Sequence, residues 1–245
     1  MTRIGANSVL PAIRERFQVT TGDGLNLEGE LALPDWCEPV ATLICVHPLT
    51  TEGGSMESHL FRKISWRLPA LTGLAVVRFN MRGAGAGAHA SEGIFDECRG
   101  EGLDLGAVLA WTQRRGLPQP WLVGWSFGTD VVLRFGDRPP VAGAFLLSPP
   151  LRYTDDSDLA RWAASGRRLI VMVPEFDDYL RPDAAADRFS PVPQAQLVPV
   201  DDAGHLWIGE RHVQAVLGEI ATVVTPAASP LPTEWDGPME RWNDL

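Results

Sequence analysis

A layered α/β fold, its mostly parallel sheet covered by helices on both faces, is predicted by three features of this sequence. Short continuous apolar runs recur with helix-spaced segments between them, the pattern of strands buried on both faces and their crossover helices. Two alternating runs around Gly22-Asp23-Gly24 open the chain, and the Asp-Gly step favours a tight turn, so an antiparallel hairpin makes the sheet mixed. The run Trp121-Leu-Val-Gly-Trp125 stops at a serine between two glycines, and a second apolar segment follows. That reads as strand, sharp turn, helix.

In chain order, residues 1–16 read as an N-terminal arm. The hairpin strands are expected at Phe17 to Thr21 and Leu25 to Leu33, and Ala41 to Val46 as a buried strand ending at His47-Pro48. Ser55 to Leu71 carries Leu60, Ile64, Trp66 and Leu68 at helical spacing, with Pro69 expected to end the helix near Arg67 or Leu68. Strand Leu74 to Phe79 runs into a glycine-rich loop, Asn80 to Gly93. A helix from about Cys98 to Arg115 then carries Leu103, Val108, Leu109 and Trp111. After the run at Trp121 its helix continues to about Arg134. Further strands are expected at Val141 to Leu147, Leu169 to Val173 and Gln196 to Val200, with helices at Asp158 to Ala164, Asp183 to Phe189 and Val213 to Val224. The domain therefore spans 17–224. Residues 225–245, rich in proline and holding Trp235 and Trp242, read as a C-terminal tail.

A formal net charge of −10 argues against a nucleic-acid surface and against attachment to anionic lipid, both of which need clustered positive charge. The first sixteen residues lack a continuous apolar stretch, and no run reaches membrane-spanning length, so a cytoplasmic location is expected. Cys37, Cys45 and Cys98 are odd in number and widely spaced, which suggests neither a disulfide framework nor a metal site. No cofactor is implied.

The chemistry centres on Gly124-Trp-Ser-Phe-Gly128, which fits the G-x-S-x-G nucleophile elbow. A serine hydroxyl is a weak nucleophile at neutral pH, so Ser126 needs a neutral imidazole to take its proton and a carboxylate to orient that imidazole. His205 follows the strand ending at Val200, which is where such a base is expected. His59 and His212 fall on or beside helices as surface residues, and His89 lies in the glycine-rich loop as a weaker pocket candidate. Asp177, in the loop after the strand ending at Val173, is the favoured acid because the chain order is Ser, Asp, His. Asp178 is its rival and Glu175 the third choice. A tetrahedral oxyanion needs two backbone donors; the amides of Phe127 and Leu49 are the candidates.

Taken together these segments resemble the α/β-hydrolase superfamily over residues 17 to 224. Within it the likeness is to bacterial predicted hydrolases whose oxyanion loop reads H-P-H-P-x-x-G-G-x-M and whose next strand reads R-F-N-x-R-G-x-G. Here these are His47-Pro-Leu-Thr-Thr-Glu-Gly-Gly-Ser-Met56 and Arg78-Phe-Asn-Met-Arg-Gly-Ala-Gly85, continued by Glu92-Gly-Ile-Phe-Asp96. Three departures stand out. Leu49-Thr50 replaces the second His-Pro, the glycine-rich loop is longer by Gly-Ala-His-Ala, and Pro174 occupies a usual glycine position before the acid.

The resemblance implies a serine hydrolase acting on a small-molecule carboxylic ester or thioester. Ser126-Phe127, the Asp177 loop and His205 would form its centre. Ser148 to Arg168 has room for one short helix, so little or no lid is expected, and with it a small or medium acyl group. Leu49, Thr50, Trp125, Phe127, Tyr153, Leu206 and Trp207 are the expected pocket lining, with a core role the alternative for the aromatics. Peptide or carbon–carbon bond hydrolysis, or a binding module without turnover, are the other functions the same residues could serve.

Overall fold

The structure, a computed structural model, describes residues 1–242. Strands β1 (Thr2–Arg3), β2 (Ile13–Thr20), β3 (Asn26–Leu33), β4 (Ala41–Val46), β5 (Leu74–Phe79), β6 (Pro120–Trp125), β7 (Gly143–Leu147), β8 (Arg168–Phe176), β9 (Ala195–Gly204) and β10 (Glu234–Trp235) occur with six α-helices. These are α1 (His59–Thr72), α2 (Gly100–Arg114), α3 (Phe127–Phe135), α4 (Asp156–Ser165), α5 (Pro182–Phe189) and α6 (Glu210–Val224). Eight strands form the main sheet in the order β2-β3-β5-β4-β6-β7-β8-β9. Pairing is antiparallel from β2 through β3 to β5 and parallel from there to β9. The fold is the mixed α/β architecture expected, with β6 near mid-sheet.

The strands' period of two distributes side chains to two cores. Ile44, Val77, Leu122, Leu146 and Val171 face a core closed by α2, α3, α4 and α5. Leu43, Val76, Val123, Phe145 and Ile170 face the opposite core, closed by α1 and α6. Each strand buried on both faces thus contributes to both, which is why its sequence reads as an unbroken apolar run.

Five expectations are corrected. Pro69 does not end α1, which continues to Thr72. The missing proline N–H frees the carbonyl four residues back, at Ser65, and Arg14 Nη1 donates to it at 3.3 Å. Leu10 N–H donates to the neighbouring Trp66 carbonyl at 2.9 Å, so β2 and the segment before it satisfy the polar groups the proline disturbs. Leu103 points to solvent at 46% exposure while Leu105 takes the core position on α2. β2 begins at Ile13, inside the expected arm, and β9 runs on to Gly204, so His205 follows the strand directly. Strand β8 likewise passes through Pro174, with a register irregularity between Pro174 and Phe176.

At the chain's ends β1 pairs with β10, and Ile4, Leu10 and Ala70 pack with Trp235 and Met239. Among the described residues no helix is long and apolar enough to cross a membrane.

Candidate active site

The elbow at Ser126 is a product of backbone geometry. Ser126 has φ 52° and ψ −124°, a conformation a side-chain-bearing residue holds only when its surroundings over-determine it. The surroundings do so: Ser126 N–H extends the ladder to the Leu147 carbonyl at 2.9 Å, and its own carbonyl accepts from Thr129 N at 2.8 Å and Thr129 Oγ1 at 2.7 Å. The flanking glycines permit the crossing. A Cβ on Gly128 would lie 2.0 Å from the Val46 carbonyl oxygen, and one on Gly124 2.7 Å from that of Gly128. Strand, turn and helix can meet only without those atoms.

Ser126 Oγ lies 2.8 Å from His205 Nε2, and His205 Nδ1 lies 2.9 Å from Asp177 Oδ2. With Nδ1–H donating to the carboxylate, Nε2 is left to accept the serine hydroxyl proton. Asp177, 2% exposed, accepts on its other oxygen from the amides of Tyr179 at 2.9 Å and Leu180 at 3.2 Å. Burial opposes ionisation of this carboxyl, but the hydrogen bonds from His205 and the two amides outweigh it and hold its pKa below the ordinary value. Asp178 is exposed, and Glu175 accepts instead from Asp202 N–H at 2.9 Å. Neither reaches His205. Pro174 therefore leaves Asp177 within bonding distance.

His205 is held from behind. The His205 carbonyl accepts from Trp125 Nε1 and from Ser148 Oγ, both at 3.1 Å, and the Leu206 carbonyl lies 2.8 Å from His59 Nε2. His59 is thus not a surface histidine: it packs edge-on against Trp125 and clamps the loop that carries the base.

Leu49 and Phe127 line the cleft in front of Ser126, and the backbone N–H of neither makes a hydrogen bond among the described residues. The turn after Leu49 is fixed by bonds from Glu52 N at 3.1 Å and Gly54 N at 2.9 Å to the Leu49 carbonyl. Fully buried His47 braces it: Met81 N–H donates to Nε2 at 2.9 Å, so the Nδ1–H donates to the Pro48 carbonyl at 2.6 Å. Burial pushes the His47 pKa down to about 4, which keeps this tautomer neutral. Phe127 opens helix α3, whose N-terminal dipole favours negative charge there.

The cleft has a volume of about 380 Å3. Of the expected lining, Leu49, Phe127, Tyr153 and Leu206 are present. Three residues are not. Trp207 is fully buried in the core under α1 and α6, because a turn at φ 53° points it inward. Trp125 is 3% exposed in the same core, its strand parity directing it away from the cleft. Thr50 lies on the far side of the turn after Leu49, facing a second cavity that also takes His89. Pro48, Glu52, Pro150, Arg152 and Tyr179 line the cleft and were not anticipated. Tyr179 sits two residues beyond Asp177, its ring 4.7 Å from that of His205, so the acid loop itself carried the signal. Arg152 was hidden by a tertiary bond: buried Asp130 on α3 accepts the amides of Arg152, Tyr153 and Thr154 at 3.4, 3.1 and 3.0 Å.

No family model matches the sequence. An uncharacterised protein of Rickettsia prowazekii is 32% identical over 116 residues, and the match covers 46% of this chain and 46% of that protein, less than half its length. Among solved structures, a lidless α/β serine hydrolase from Xanthomonas campestris is 29% identical, with a TM-score of 0.73 over 91% of this chain and 99% of that one. An esterase from Pyrococcus furiosus superposes with a TM-score of 0.71 over 89% of this chain and 94% of the other. At 18% identity that second likeness is one of fold.

Proposed function

We propose that this chain, which shares the fold of the α/β hydrolases and is similar to a lidless serine hydrolase of that superfamily, is a serine carboxylesterase acting through Ser126, His205 and Asp177. The observation that carries this reading is the unbroken chain of hydrogen bonds from Ser126 Oγ through both nitrogens of His205 to Asp177.

In this reading Ser126 Oγ attacks the ester carbonyl carbon while its proton passes to His205 Nε2. The carbonyl oxygen takes the negative charge and is stabilised by the amides of Leu49 and Phe127 at the N-terminus of α3. Asp177, kept anionic, stabilises the imidazolium. The tetrahedral intermediate collapses as the imidazolium returns the proton to the leaving alkoxide, releasing the alcohol and leaving an acyl-serine. Water then attacks the acyl carbon, losing its proton to His205. Collapse of the second intermediate frees the carboxylic acid and restores the serine hydroxyl. A thioester follows the same path with a thiol leaving.

Acyl size follows from the cleft. Its volume of about 380 Å3 lies near the lower end of small-molecule pockets. Between β7 and β8 there is only α4, which packs its Leu159 and Trp162 into the core instead of covering the cleft. Small or medium acyl groups are favoured.

The reading is tested by a fluorophosphonate probe and a series of aryl esters. Covalent labelling at Ser126 is expected, lost in Ser126→Ala, with turnover falling as the acyl chain grows. A folded protein that resists the probe, or that turns over only long-chain esters, would contradict the proposal.

A further inference from the structure

Behind the oxyanion turn lies a second cavity, of about 640 Å3, larger than the cleft in front of it. The turn is the shared wall. Leu49 and Glu52 face the cleft, while Thr50, Gly53 and Gly54 face this cavity. Its remaining walls come from β2, β3, the segment Ser55 to Glu57, α1, β5, the glycine-rich loop and Trp242 near the C-terminus.

The charges around it do not cancel. Arg16, Arg62 and Arg78 line the cavity against Glu30 and Glu57. Both glutamates are taken by Arg78, at 2.6 Å from Glu30 and 3.4 Å from Glu57. Among the described residues Arg16 and Arg62 have no carboxylate within ion-pair distance, in a chain of net charge −10 that holds 31 acidic residues. Arg62 lies 5.4 Å from the centroid of the Trp66 ring, within cation–π range. Hydrogen-bonding capacity is also left over. Among the described residues Arg62 Nε, Arg78 Nε and Thr50 Oγ1 are buried without a partner, and Arg78 is 3% exposed. Buried donors without partners are costly, and guanidinium donors are suited to planar or tetrahedral oxyanions.

We infer that this cavity is a second ligand site, taking a small organic anion with a carboxylate or phosphate group held by Arg62 and Arg16, on the opposite side of the oxyanion turn from Ser126. Its volume accommodates an organic body and not the bare ion alone. Thr50 Oγ1, on the turn itself, supplies a hydroxyl to the same ligand. The inference does not depend on Ser126 being a nucleophile.

Calorimetric titration of the whole protein with benzoate, phenyl phosphate and, as the neutral control, benzyl alcohol tests it. Saturable binding of at least one of the two anions is expected, and which one binds distinguishes carboxylate from phosphate. Benzyl alcohol should not bind. Arg62→Gln and Arg16→Gln should each weaken the anion about tenfold, the loss of one charge-assisted contact, with unchanged melting temperatures. Arg152→Gln, in the cleft, should have no effect, and Ser126→Ala should bind as wild type. Absence of binding by both anions would overturn the inference. So would equal binding of the alcohol, or weakening by Arg152→Gln but not by Arg62→Gln, which would put the anion in the cleft.

Discussion

The elbow at Ser126 and the loop that carries His205 are held in place by different means. The elbow is fixed locally: five consecutive residues, two glycines that remove clashes with β4 and α3, and backbone bonds on either side impose the serine's conformation. His205 follows strand β9 with no such motif. Its place is set by side chains from elsewhere, with Asp177 on its ring and Trp125, Ser148 and His59 on the carbonyls of His205 and Leu206. Ser126 is therefore positioned by short-range sequence and His205 by tertiary contacts. Substitutions should separate the two.

The largest separation is expected from Asp177→Asn. It leaves the elbow untouched, but an amide can offer its N–H to His205 Nδ1 and favour the wrong tautomer, which removes the acceptor from Nε2. Ester turnover should fall about 10⁴-fold, equivalent to about 5 kcal/mol in the barrier, while the melting temperature changes little. A variant that folds as wild type and keeps a tenth of its activity would remove Asp177 from the proposed machinery.

A smaller effect, on stability, probes the wall opposite the base. His47 is neutral in the folded protein with its pKa pushed down to about 4, whereas an unfolded histidine titrates near 6.5. As pH falls the unfolded chain takes up the proton first. The stability this histidine contributes is thus intact above about pH 6.5 and is lost progressively toward pH 4, by up to about 3 kcal/mol. His59, also lowered by burial, adds in the same direction. Asp177 and Glu30, both lowered, act at more acidic pH, their contribution being lost only as the carboxylates protonate. Urea denaturation across pH 7 to 4.5 should show this fall, and His47→Gln, which can still accept from Met81 and donate to Pro48, should flatten it. An equal slope in both proteins would mean that the buried imidazole is not its source.

The same contrast accounts for what could be read in the sequence. The parallel strands were legible because burial on both faces leaves an unbroken apolar run, and Ser126 because its turn needs glycine on both sides. Strand parity was there to be read as well: Trp121, Val123 and Trp125 alternate with Leu122, which places Trp125 in the core instead of the pocket. Other features had no local signature. Pro69 stays inside α1 only because Arg14 and Leu10, more than fifty residues earlier, meet the carbonyls it disturbs. Arg152 reaches the cleft because Asp130 gathers the amides beyond it. Whether a histidine is a surface residue or a clamp, as for His59, depends on which carbonyl the fold brings to it.

The smallest effect tests whether the clamp on the base is shared among its donors. Ser148 is fully buried, and its hydroxyl is one of two donors to the His205 carbonyl. Ser148→Ala removes that bond without touching the imidazole or the cleft, and Trp125 Nε1 still holds the carbonyl. The expected cost is about 1 kcal/mol, the net worth of one hydrogen bond, seen as a roughly fivefold fall in kcat with KM and the pH dependence unchanged. Adding His59→Ala, which frees the Leu206 carbonyl, should cost more than the sum of the two single changes, because with both bonds gone the carbonyls of His205 and Leu206 keep only the Trp125 bond among the described residues. If kcat in Ser148→Ala falls only in step with the folded fraction, the serine is a packing residue. The base is then positioned by Asp177 and Trp125 alone.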